Sequence, residues 1–166
     1  MEYNTETPPQ AAAKMQLILV LSAINLLPQV LPLLEDERTG CALSLRCAID
    51  GYVSDTTLYL GEPPEKKRAK YWNGSRYKMW RLMEAPDHIV STFQIMNEAK
   101  SIFPGGIRIG PWIITISGFI GLDDEALALL IASKADLLTK VGCEVIARKS
   151  DNVGRLNRMR TALSKL

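Results

Sequence analysis

Residues 41–61 read CALSLRCAIDGYVSDTTLYLG, and this stretch decides the fold. Cys41, Leu43, Leu45, Cys47 and Ile49 alternate with Ala42, Ser44, Arg46, Ala48 and Asp50. A period of two is the mark of a strand with one apolar face. Asp50-Gly51 is a turn pair, because Asp and Gly tolerate the positive φ that a tight hairpin needs. Residues 52–60 are rich in β-branched and aromatic side chains, so the two runs form a β-hairpin. Gly61 and Pro63-Pro64 end it.

Downstream, residues 65–81 (EKKRAKYWNGSRYKMWR) hold seven Lys or Arg against one acid, interleaved with Tyr71, Trp72, Tyr77 and Trp80. Asn73 or Ser75 can cap a helix that runs to about Glu84, where Ala85-Pro86-Asp87 stops it. Residues 89–96 (IVSTFQIM) favour a strand. Residues 107–109 and 112–118 read as two short strands around Gly110-Pro111, with Trp112, Ile114 and Ile116 on one face. Ile113, Thr115 and Ser117 share the other. Asp123-Asp124-Glu125 start a helix whose apolar stripe runs through Leu127, Leu130, Ile131, Leu137, Leu138 and Val141, with Gly142 as its stop. Residues 144–148 are too short to assign. Residues 152–166 read as a basic terminal helix.

Upstream, Met15–Leu34 carries no charge and is long enough to raise the question of a membrane span. Ser22, Asn25 and Gln29 form a polar stripe, and Pro28 and Pro32 interrupt the second half. The expectation is a buried, bent helix or helix pair. The division expected is a mobile tail over 1–14, one α+β domain over 15–142, and a basic C-terminal appendage over 143–166. The layering expected is profilin-like or PAS-like, with a mostly antiparallel central sheet and helices packed on it.

Composition narrows the chemistry. The chain has 166 residues, 47% hydrophobic and 23% charged, enough to bury a core without disulfides. A net charge of +2 excludes a strongly basic packing protein but leaves room for a local basic patch. A single His, His88, excludes any site that needs two. Three cysteines, Cys41, Cys47 and Cys143, without metal spacing suit a reduced, cytoplasmic chain. Cys41 and Cys47 lie ~20 Å apart along one strand at ~3.3 Å per residue, beyond disulfide reach. Walker A, GxGxxG and GxSxG motifs are all missing from the sequence.

Several strings resemble the GlcG/HbpS-like family, which includes the haem-degrading-domain proteins. Ala48-Ile49-Asp50-Gly51 is similar to the family's hairpin turn, and Asn73 to Lys78 to the start of its Lys-bearing helix. Gly105-Gly106-Ile107-Arg108-Ile109 is similar to its Gly-Gly string, with Arg108 in place of the usual Pro. Thr115-Ile116-Ser117-Gly118 is similar to its Ser-Gly strand end, and Asp124-Glu125 to the acid pair of its last helix. The resemblance covers about residues 40–140.

The resemblance implies a small-ligand-binding module that takes haem, a related tetrapyrrole or a small organic acid, and that assembles as a homo-oligomer. It implies a site among Lys78, Gly105, Gly106, Ser117 and Gly118. Haem needs an axial ligand from His, Cys, Met or Tyr. His88 is the first choice, with Tyr71, Tyr77 and Met79 as further side chains of the right kind. Any turnover would be cofactor chemistry.

The basic, aromatic stretch 66–81 supports three readings. Its cations suit haem propionates or another carboxylate ligand. They equally suit single-stranded nucleic acid, with the rings as stacking platforms and the basic C-terminal helix adding phosphate contacts. Or the stretch is a solvated helix face, with Trp72 or Trp80 in the core. The second reading makes the chain a non-enzymatic nucleic-acid or protein interaction module.

Overall fold

A computed structural model describes residues 7–34, 37–100 and 103–164. Strands β1 (Gly40–Ile49) and β2 (Tyr52–Gly61) form the hairpin, with Leu45 opposite Thr56 and Ile49 opposite Tyr52. Asp50 and Gly51 take φ of 48° and 79°, the left-handed turn that the Asp-Gly pair predicts. Strands β3 (Gly106–Ile109) and β4 (Trp112–Ser117) form a second hairpin. β4 pairs antiparallel with β1, Leu43 facing Ile116 and Leu45 facing Ile114. The sheet order is β2-β1-β4-β3, antiparallel throughout.

Helices cover both faces of this sheet, so the fold is α+β. The apolar face of β1 and β4, with Leu43, Leu45, Ile114 and Ile116, packs into the main core with α1 (Pro8–Val30) and α3 (Gly121–Lys134). On the opposite face lies α2 (Glu65–Glu84). Ala42 and Ser44 are fully buried there, so β1 hides both faces where its alternation predicts one. Small hydroxyls make this interface. The Ser75 hydroxyl lies 2.8 Å from Ser44 Oγ and 3.0 Å from Thr115 O, and Thr115 Oγ1 donates to Ser75 O at 2.8 Å. Burying these groups is tolerable because each has a partner.

Several boundaries differ from those expected. Helix α1 already begins at Pro8, inside the stretch assigned to the tail, and continues through Pro28 into a 3-10 turn at Leu31–Leu33. It is long and apolar enough to cross a membrane, yet Leu19, Ala23, Leu27 and Val30 are buried in the core. Helix α2 starts at Glu65, eight residues before Asn73, because Pro63-Pro64 precede an uninterrupted run of helix formers. Residues 92–95 form a 3-10 turn, not a strand. Ser91 caps that turn and makes one isolated bridge to Ile107. Lys134 ends α3, and Gly142 lies inside α4 (Lys140–Lys149), which Thr139 caps. Together α4 and α5 (Val153–Leu163) place Cys143, Ile146, Leu156 and Met159 in the main core. The C-terminal segment is therefore part of the packed body rather than an addition to it.

Candidate functional site

Lys78 sits on the inner face of α2 and is 6% exposed. A buried ammonium needs a partner that offsets its lost hydration. Lys78 Nζ donates to Ile116 O at 2.6 Å and to Asp124 Oδ2 at 2.9 Å. Asp124 Oδ1 accepts from Phe119 N at 2.9 Å. Burial pushes the Asp124 carboxyl up to about 6, while Lys78 and the Phe119 amide pull it back. Ion pair and strand end thus form one unit joining α2, β4 and α3.

Gly105 lies directly behind this pair. Its φ is +122°, and a Cβ there would come within 2.5 Å of Lys78 Nζ and 2.6 Å of Asp124 Cβ. Gly106 is a packing position: a Cβ would meet Thr92 Cγ2 at 2.8 Å and Thr115 Cγ2 at 2.9 Å. Gly74 lets α2 approach Ser117, whose Oγ would stand 2.6 Å from a Cβ at 74. Gly118 fits over Cys41 and accepts a hydrogen bond from Arg38 Nη1 at 2.6 Å.

A cleft of about 1020 Å³ opens in front of the pair, between α2 and the connection from β4 to α3. Lys78 and Asp124 are at its floor, because both line it and both are buried. Ser117 and Gly118 line it beside them. Lys67 and Lys70 are exposed at its rim. Phe93, Met96, Phe103 and Tyr77 supply apolar and aromatic wall. A concave, largely apolar space with a few convergent charges is the usual form of a ligand site.

No family model, curated protein or solved structure matches the chain.

Of the residues expected at the site, Lys78, Ser117 and Gly118 come together on the cleft, with Gly105 one layer behind. Gly106 lies further back. His88 is exposed in the turn after α2 and does not line the cleft. Met79 faces Leu82 and Ile113 in a small cluster of its own. Neither tryptophan of α2 enters the core: Trp72 rests on Tyr59 with centroids 5.3 Å apart, and Trp80 is exposed beside Tyr77 at 5.7 Å.

Sequence reading missed Asp124 as a partner, because an acid at a helix start is explained by the dipole alone. It also missed Arg38, Phe93, Met96 and Phe103, which stand in connections without periodicity. Gly74 did carry a signal. A glycine inside a helix costs about 1 kcal/mol against Ala and so points to a close approach.

The neighbouring Glu125 is fully buried and does not line the cleft. Ser91 Oγ and Ser150 Oγ donate to it, and Asn152 Nδ2 stands at 3.3 Å. It ties the Thr92 turn and the ends of α4 and α5 to α3. Burial raises the pKa of its carboxyl, and the three donors oppose that rise.

Proposed function

We propose that the chain is a small-ligand-binding module, and that its ligand is an anion with a planar or ring-bearing body held in this cleft. The carrying observation is the pairing of a cationic rim, Lys67 and Lys70, with the aromatic wall of Tyr77, Phe93 and Phe103 around one cavity. Cations favour the ligand's charge, and the rings bury its apolar body.

A tetrapyrrole suits this description. Lys67, Lys70 and Arg38 are of the right kind for propionates, and Tyr71 and Met96 line the cleft as side chains able to ligate iron. A bound haem would supply redox chemistry at its iron. The local strings that resemble the GlcG/HbpS-like family support the same reading. An apolar strip on the outer side of α1, with Leu17, Leu21 and Ile24 each about half exposed, supports homo-oligomer assembly.

Haemin titration read in the Soret region tests the proposal. A saturable, shifted band that weakens in Lys67→Glu/Lys70→Glu is expected. A flat titration removes the tetrapyrrole, and leaves the anion cleft to be judged by other ringed anions.

A second reading has its own observation. Tyr77 and Trp80 form an exposed ring pair on α2, with the Arg81 guanidinium 5.7 Å from the Trp80 centroid. Such a surface suits stacking of single-stranded bases. Binding of a single-stranded oligonucleotide that falls steeply with salt and is lost in Trp80→Ala would favour it.

A further inference from the structure

We propose that the ligand's anionic head, drawn in past the rim lysines, docks on the Lys78 ammonium at the cleft floor, and that it enters with a proton that Asp124 takes from solvent. This deepens the ligand-module reading and rests on it.

Charge balance at the floor carries the argument. Lys78 comes from α2 and Arg38 from the segment before β1. Facing them is Asp124 of α3, with the Glu125 carboxyl behind it and within electrostatic reach of Lys78. The Cys41 thiol of β1 also stands near Asp124, and burial holds it well above its ordinary value, so it adds no charge. Glu98 is on the outer wall and exposed. The floor is therefore close to neutral before a ligand arrives. A second anion placed against the same ammonium leaves one negative charge in excess beside two buried side chains. Like charges around one cation raise the pKa of the group that can still accept a proton.

Asp124 is that group. It touches Lys78, it lines the cleft, and it is already displaced towards neutrality by burial. Glu125 is held by Ser91, Ser150 and Asn152 behind the cleft wall. The exposed Lys67 and Lys70 attract the head group through screening water, and the buried ammonium then holds it through a lower dielectric. A neutral Asp124 keeps its contact with the Phe119 amide and lends its ammonium to the ligand.

The probe is naphthalene-2-sulfonate, a ringed anion whose own charge does not titrate near neutrality. Calorimetric titration of the intact chain in two buffers of different ionisation heat counts protons taken up per ligand. Net uptake is expected near neutral pH, with affinity falling about threefold to tenfold between about pH 5.5 and about pH 7.5. Asp124→Asn should bind without that slope, and His88→Gln should keep it.

Binding that is independent of pH and takes up no proton overturns the inference and leaves the ligand cleft standing. A slope that persists in folded Asp124→Asn also overturns it. If Asp124→Asn does not fold, the proton count on the native chain decides alone. No binding of the sulfonate at any of these pH values overturns both the inference and the cleft reading.

Discussion

Gly105 and Lys78 occupy one another's space: a methyl group at 105 would lie 2.5 Å from the Lys78 ammonium nitrogen. The Gly-Gly string therefore serves the buried ion pair. Gly105 combines a φ of +122° with contact to Lys78, Asp124 and the Ile116 carbonyl, so no other residue fits without movement. We expect Gly105→Ala to lower stability by about 2–4 kcal/mol. Urea denaturation measures this, and a loss below about 0.5 kcal/mol would show that the contact relaxes freely.

The Lys78–Asp124 pair predicts an asymmetry between single and double changes. Lys78→Met leaves Asp124 without its cation and should cost about 3–5 kcal/mol. Lys78→Met combined with Asp124→Leu removes both charges, and should be more stable than either single variant. Additive losses in this double-mutant cycle would mean that the two groups do not act as a pair.

Stability should also carry the signature of Asp124 in its pH dependence. Its folded value, about 6, lies above the unfolded 3.8. The folded chain thus binds more protons between those values. The contribution is present at low pH and is lost as pH rises through about 6. Glu125 acts in the same direction. Other carboxylates titrate over the same range, so the test is a difference. The native chain minus Asp124→Asn, followed by thermal melts from acid to neutral pH, should decline towards neutrality. A flat or rising difference would remove this role for Asp124.

Cys41, Cys47 and Cys143 are buried and unpaired. Burial raises all three thiols, so little thiolate forms at neutral pH. A disulfide reagent should react slowly with the native chain and fully once urea unfolds it. Rapid labelling of the native state would instead expose one thiol as accessible.

The outer strip of α1 gives the last prediction. Leu21→Glu with Ile24→Glu should lower the mass measured by light scattering while leaving the melt nearly unchanged, since both side chains are about half exposed. A native chain that is already monomeric would withdraw the oligomer from the proposed function.

Much of the fold was legible in the sequence. The alternation of Cys41 to Ile49 and the turn at Asp50-Gly51 define the first hairpin, because period and turn chemistry are local. So is the second hairpin around Gly110-Pro111. The segment 89–96 misled because β-branched residues also suit an extended approach to a bridge, and Ser91 spends its hydroxyl on capping a turn and on Glu125. Gly142 misled because it falls in the first turn of a new helix, where its amide donates to the capping Thr139 hydroxyl.

Of the candidate site, sequence alone determined the side-chain types: a Lys within a basic helix, adjacent glycines, a Ser-Gly strand end and an acid pair. Each of those is a local property of the chain. Only tertiary structure decided that Lys78 turns inward to Asp124, 46 residues away, while Lys67 and Lys70 on the same helix stay in water. Helical spacing does not say which face meets the sheet. That choice belongs to Gly74, Ser75 and Thr115, whose small groups let α2 lie close enough for one ammonium to be buried.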